Sequence, residues 1–343
     1  MSDNGQAVRA HRRFNRWVLV GVYGVFGCVM ALNAIIDPYR VFHWVEWGSG
    51  YTDNERYNKV AHLIAHVARH DAFIVGSSRM GLYDPNDLNQ LRSGRDYYNL
   101  ATFGGSAQDA LLMLRAIQSH GVAIREVVFG IDLFPFLEPP GEVTPAYRHH
   151  PEASGQSYSA FFTSYLLSPS VTHAFLKLQH TRMAEPDLEF DFEGNGRFYL
   201  RRWDREIAAD PEAYAATAFK ASHQPPRARQ ALWNTARFDE LHALVAWAEQ
   251  SGVALYVLVQ PHHHSELKHY TRETLVNFQQ RVSAVTGDIP DFTVHADWSL
   301  NNDWYYEPKH YRPELAREVM NALFPDAAAL TQQASVSMDT SNP

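Results

Sequence analysis

Four short runs of apolar residues, each stopping at small or polar residues, constrain the fold of this chain more than any other feature. Ala72-Phe73-Ile74-Val75 stops at Gly76-Ser77-Ser78, and the run 97–101 stops at Thr102-Phe103-Gly104-Gly105. Val127-Val128-Phe129-Gly130-Ile131 stops at Asp132, and Ala254-Leu255-Tyr256-Val257-Leu258-Val259 is the fourth. Helical patterns lie over 107–119, 238–250 and 271–285, and a weaker fifth run is Phe292-Thr293-Val294-His295. Strands with no polar alternation must be buried on both faces, so the pattern predicts an α/β fold with a parallel sheet covered by helices on each side. In such sheets ligands sit at the carboxyl ends of the strands. The alternation fails over 138–234, where Pro, aromatic and charged residues mix, which reads as an insertion after the third strand. Within it 161–178 predicts one or two short helices broken at Ser168-Pro169. Phe198, Tyr199, Arg201, Arg202 and Trp203 are either a platform for a sugar chain or the core of a small subdomain.

From Trp17 to Ile36 no charged residue interrupts an apolar stretch long enough to cross a bilayer as a helix. Arg9, Arg12, Arg13 and Arg16 precede it with only Asp3 as acidic company, which predicts a cytoplasmic N-terminus over 1–16 and an exported domain beyond the span. A cleaved signal peptide is the alternative; the run lacks a small-x-small exit, so an uncleaved single-pass anchor in the cytoplasmic membrane is expected. The expected organisation is then an anchor at 17–36, a connecting segment at 37–69, a domain at 70–324 and a disordered polar tail at 325–343. The charges of Asn54-Glu55-Arg56-Tyr57-Asn58-Lys59 in the connecting segment read as solvated or interface-forming. A net charge of −8 argues against a nucleic-acid partner, and a single cysteine excludes an intramolecular disulfide and any multi-cysteine metal site.

Ser78 is the leading nucleophile candidate, because a hydroxyl just beyond a strand end projects from the functional edge of the sheet. Its own amide can serve an oxyanion where the next residues begin a turn or helix. His310 stands in Glu307-Pro308-Lys309-His310-Tyr311-Arg312-Pro313, immediately before a helical pattern, which predicts a loop entering a helix with Pro313 in its first turn. A carboxylate that holds one imidazole nitrogen as donor leaves the other free to take a proton from serine. Glu307 has the spacing for that task, and Asp303 is the alternative. His262-His263-His264, with His269 and His310, offers a competing metal reading. Successive side chains diverge, so solvated loop histidines or substrate contacts fit better and no metal or cofactor is expected.

Taken in order, these blocks resemble the SGNH (GDSL-like) hydrolases and acyltransferases. Gly76-Ser77-Ser78 is similar to their Gly-Asp-Ser block, and Asn99-Leu100-Ala101-Thr102-Phe103-Gly104 to their second. Gly130-Ile131-Asp132-Leu133 stands for Gly-x-Asn-Asp, and Glu307-Pro308-Lys309-His310 for Asp-x-x-His. The anchor, Gly-Ser-Ser-Arg and His-Tyr-Arg-Pro-Glu are similar to membrane-anchored members that act beside membrane-bound O-acyltransferases in exopolysaccharide O-acetylation or teichoic-acid D-alanylation. The resemblance implies a three-layer α/β/α domain, Ser78 as nucleophile, His310 as base, Glu307 as orienting acid, and the amides of Ser78 and Gly104 as oxyanion donors. It also implies a polysaccharide substrate, a membrane setting, and a membrane-bound O-acyltransferase as partner. The expected activity is a serine-dependent O-acyltransferase or carbohydrate esterase acting on acetyl or related groups. Where the family carries an amide side chain, Asp132 can only accept when ionised. It is expected to turn away and accept from loop amides; the alternative function is a catalytically silent carbohydrate-binding or scaffold protein.

Overall fold

The computed structural model describes residues 3–42, 44, 54–139, 144–174 and 189–327. They form two compact units: 1–54 with 145–186, and 55–144 with 187–343.

The first unit is built on α1 (Asp3–Ile36), whose section His11–Ile36 is long and apolar enough to cross a membrane. Its 26 residues extend about 39 Å at helical rise, more than a hydrocarbon core of about 30 Å. Phe14, Trp17, Val20, Tyr23, Val25 and Phe26 lie exposed along it. At its end the chain is gripped by the helix Tyr158–Leu166 and the residues that follow. The Asn33 amide donates to the Leu166 carbonyl at 2.8 Å, and Asn33 Oδ1 accepts from Thr172 Oγ1 at 2.8 Å. Asp37 accepts from the Val41 and Phe42 amides, each at 2.8 Å, and from the Tyr165 hydroxyl at 2.7 Å. Phe161 and Tyr165 are fully buried. The break at Ser168-Pro169 is present: the helix ends at Leu166 and helical residues resume at Pro169. The single insertion expected after the third strand is thus divided, since 145–174 belongs with α1 and 189–234 with the sheet.

The second unit carries four parallel strands in the order β2-β1-β3-β6: β1 (Ala72–Gly76), β2 (Tyr97–Asn99), β3 (Glu126–Ile131) and β6 (Ala254–Val259). Two small antiparallel hairpins complete the numbering, β4 (Glu189–Phe190) with β5 (Phe198–Tyr199) and β7 (Tyr305–Glu307) with β8 (His310–Tyr311). The expected fifth strand is absent among the described residues; a lone parallel bridge joins Val259 to Asp291 instead. Its residues bend away into the helical turn Ala296–Ser299.

Alternation along the strands sends Ala72, Ile74, Val128 and Leu258 to one face. There they pack with Leu88 and Leu91 of α3 (Pro85–Leu91) and with Leu315, Val319 and Met320 of the helix Pro313–Leu323. The opposite face meets α4 (Ala107–Ser119) and the helix Thr235–Ser251. α4 begins at Ser106 with a reciprocal cap: the Ser106 hydroxyl accepts from the Asp109 amide and the Asp109 carboxylate accepts from the Ser106 amide.

Within the expected connecting segment stands α2 (Glu55–Ala65), which belongs to this unit and packs on α4. Its charges are not solvated. Glu55 and Lys59 are fully buried and Arg56 and Asn58 nearly so, and Glu55, Arg56 and Lys59 find partners in backbone groups of the loop after β2. The tail expected at 325–343 lies, from residue 328 onward, outside the described residues.

Candidate active site

Strand ends and one hairpin bring the candidate residues together. β1 stops at Gly76, whose φ of +138° disfavours any side chain, and a Cβ there would come within 2.7 Å of Met80 Cγ. The chain turns at once into the short helical turn Met80–Leu82. Ser77 is buried, and its hydroxyl accepts from the Arg79 amide at 3.3 Å, a local turn bond. Ser78 is partly exposed, and its Oγ lies 2.9 Å from His310 Nε2.

His310 lies not on a loop but on β8, directly opposite Glu307 of β7 across the turn Pro308-Lys309. His310 Nδ1 and Glu307 Oε1 are 2.5 Å apart, and Glu307 Oε2 accepts from the Lys309 amide at 2.9 Å. Burial alone would raise the Glu307 carboxyl. The hydrogen bond and charge of His310, the Lys309 amide and nearby Arg79 outweigh it and hold the group below the ordinary carboxylate range. An ionised Glu307 fixes the imidazole with Nδ1 as donor, so Nε2 presents its lone pair to Ser78. Asp303 stands exposed in the turn before β7, and its backbone carbonyl, 3.3 Å from Arg312, makes the bond to that side chain. Of the two acids, Glu307 is the one placed on His310.

The Ser78 turn and the β7–β8 hairpin are joined directly. Arg79 Nε donates to the Lys309 carbonyl at 2.6 Å, and the guanidinium reaches Asp132 Oδ1 at 3.4 Å. Asp132 Oδ1 also accepts from the Gln260 side-chain amide at 3.0 Å. Its carboxylate is therefore held by side chains, an arginine and a glutamine, and not by the loop amides expected from the sequence. Gln260 Oε1 in turn lies 2.5 Å from the Tyr311 hydroxyl, which lies 2.9 Å from that of Tyr83. Burial pushes both tyrosines well up, so they remain neutral links in this chain.

The loop after β2 lies against the Ser78 turn. The Thr102 amide donates to the Gly76 carbonyl at 3.0 Å, and a Cβ on Gly105 would collide with that same oxygen. Asn99, fully buried, donates to the carbonyls of Met80 and Tyr83 at 2.8 and 3.0 Å and accepts from the Ala101 amide at 3.1 Å. Gly104 is exposed at φ +59°, with nothing within 4 Å of where a Cβ would be.

The histidine cluster does not converge. His262 Nδ1 meets the Gln260 carbonyl at 2.8 Å, His263 Nε2 the Asn302 side chain at 2.9 Å, and His264 Nδ1 the Ser299 carbonyl at 3.2 Å. His269 Nδ1 bonds to the backbone of Arg227. His262 and His263 are buried, not solvated, and burial lowers both, His263 to about 4.

Of the proposed platform, Phe198 is core, packed with Leu82, Tyr306 and Phe103. Tyr199 is covered by the guanidinium groups of Arg197 and Arg201, which also pairs with Glu189, while Arg202 pairs with Glu206. Trp203 is the member that reaches the site, its ring centroid 6.5 Å from that of His310. A cleft of about 640 Å³ opens beside Glu307, lined by Trp203, Ala213, Tyr214, Thr217 and Ala218 among others.

Four residues to which the sequence gives no part in the site stand around it: Arg56, Lys59, Arg79 and Gln260. Arg79 adjoins Ser78, which was its one signal. The others act on atoms far along the chain. Compared with known families and curated proteins, the chain matches no family model and no curated protein.

Proposed function

We propose that this chain is an SGNH-like serine acyltransferase or esterase, tethered by α1 with its N-terminus cytoplasmic and its sheet domain exported, acting on O-acyl groups of a cell-envelope polysaccharide. The observation that carries the reading is the unbroken chain Ser78 Oγ, His310 Nε2, His310 Nδ1, Glu307 Oε1, with separations of 2.9 and 2.5 Å at its two hydrogen bonds. His310 takes the Ser78 proton as Oγ attacks an acyl carbonyl, and the carbonyl π electrons move to oxygen. The amides of Ser78 and Gly104 receive that oxyanion, and collapse expels the donor's alkoxide as His310 returns the proton. A sugar hydroxyl or water then deacylates the serine by the reverse path. Trp203 and the cleft beside Glu307 suit the flat apolar face of a sugar ring. The four arginines ahead of the span support the stated orientation. A membrane-bound O-acyltransferase is the natural donor, since the tether keeps both proteins at one surface.

The test is covalent labelling of the full chain in detergent with a fluorophosphonate. Labelling of wild type, lost in Ser78→Ala and kept in Ser77→Ala with unchanged melting temperature, is the expected result. An unlabelled wild type would instead mark a silent binding or scaffold protein.

A further inference from the structure

We infer that Arg56 is a positioning residue for oxyanion stabilisation, acting through the peptide that joins Phe103 to Gly104. The inference rests on the serine reading above and deepens it.

From Ala101 to Phe103 each main-chain N–H and carbonyl has a partner. The Ala101 amide bonds Asn99 Oδ1, and the Ala101 carbonyl accepts from Lys59 Nζ at 2.6 Å. The Thr102 amide goes to the Gly76 carbonyl, and the Thr102 carbonyl accepts from the Gly105 amide at 3.0 Å. The Phe103 amide donates to Glu55 Oε1 at 2.8 Å, and the Phe103 carbonyl accepts from Arg56 at 2.8 Å. The Gly104 amide has no acceptor among the described residues. Buried or half-buried amides are almost always paired, and here the main chain is held at every group up to Phe103, so the exposed Gly104 N–H is the first amide of the loop left open to a ligand.

The Phe103 carbonyl and the Gly104 amide belong to one planar trans peptide and point in opposite directions. Fixing the carbonyl therefore fixes the direction of the N–H. A guanidinium on the carbonyl also draws electron density through the peptide, which makes the N–H a stronger donor. Arg56 is rigidly placed for this: it is 5% exposed, and its Nε meets Asp109 Oδ1 at 3.0 Å in the capped first turn of α4. Lys59 and Glu55 hold the two preceding peptides, so Arg56 is the member of the group that bears on the donor itself.

The experiment uses the full chain in detergent, with p-nitrophenyl acetate as substrate and reactive sites counted by fluorophosphonate. In Arg56→Lys and Arg56→Gln, kcat per counted serine should fall with KM little changed, by roughly 3- to 10-fold for Lys and about 10- to 100-fold for Gln, below the loss expected when a donor is removed outright. Arg92→Met, which breaks the pair with Glu126 at the far end of β3, supplies a destabilised control in which kcat per counted serine should hold. If Arg56→Gln does not fold, Arg56→Lys decides alone. Labelled wild type with kcat unaltered in the folded Arg56 variants overturns the role of Arg56 and leaves the serine reading standing; unlabelled wild type overturns both.

Discussion

The Gln260 side-chain amide donates to Asp132 Oδ1 at 3.0 Å, and Arg79 approaches the same oxygen at 3.4 Å. A carboxylate so engaged is a counterion for a buried arginine that itself joins the Ser78 turn to the β7–β8 hairpin. Asp132→Asn leaves that guanidinium without its partner. The expected outcome is a loss of about 1–3 kcal/mol in urea denaturation, with ester turnover per labelled serine no higher than wild type. A folded, markedly faster variant would place Asp132 against the oxyanion.

For the orienting acid, Glu307→Gln should lower kcat by about 10²- to 10⁴-fold, because the imidazole loses both its tautomer control and the charge that stabilises its protonated form. Asp303→Asn should leave kcat within about twofold, since only its main chain is engaged. The opposite ranking in steady-state kinetics would transfer the role to Asp303.

Glu307 also fixes an acid limb of stability. Its carboxyl is lowered in the fold, so the stability it contributes is fully present above the unfolded value of about 4.3 and is lost as pH falls through the lower folded value. The difference in urea midpoint between wild type and Glu307→Gln should therefore shrink steadily between pH 6 and pH 3. A difference that grows on acidification contradicts the assignment.

Lys59 predicts the behaviour at the other end of the scale. Burial pushes its ammonium down to about 7, against the opposing attraction of Glu55 and with Arg56 acting in the same direction as burial. Between that value and the unfolded one, about 10.4, the unfolded chain binds the extra proton, so this group's contribution to stability rises with pH across the window. Lys59→Met lacks that term. Urea midpoints at pH 6.5, 8 and 9.5 should show wild type gaining on the variant with each step, and parallel curves would refute the shift.

Topology is checked by fusing a reporter after Phe324. Alkaline phosphatase should be active there, and a cytoplasmic fluorescent reporter dark. The reverse pattern would overturn the orientation proposed from Arg9, Arg12, Arg13 and Arg16.

The sheet was legible because its strands are short, apolar and closed by small residues: the four runs match β1, β2, β3 and β6 to within two residues. Local spacing singled out Ser78, His310 and Glu307, and the fold places these three in one hydrogen-bonded row. What the sequence hid was every interaction whose second partner is backbone. Glu55, Arg56 and Lys59 look like a solvated helix start because their ligands are the carbonyls of Ala101 and Phe103 and the Phe103 amide, more than 40 residues on, and peptide groups carry no sequence signature. Asp132 was misread for a related reason. Its partner Gln260 lies on a strand end 128 residues away, adjacent only once β3 and β6 are paired. The division of 138–234 was hidden too, because the apolar face of Tyr158–Leu166 does not say which helix it will meet.

The grip on Asn33 and Asp37 has a consequence for biogenesis and for fragment design. The C-terminal end of α1 is completed by Tyr165 and Thr172, which emerge from the ribosome only after three strands of the sheet have been made. The helix is thus made first and receives its cap later, from residues 128 and 139 positions further along the chain, a loop closure whose entropic penalty grows only slowly with length. A soluble fragment cut at Glu55 would keep that segment but strip it of its partners, leaving Phe161 and Tyr165 as a sticky surface. A fragment intended for crystals or assays should therefore also excise 145–186.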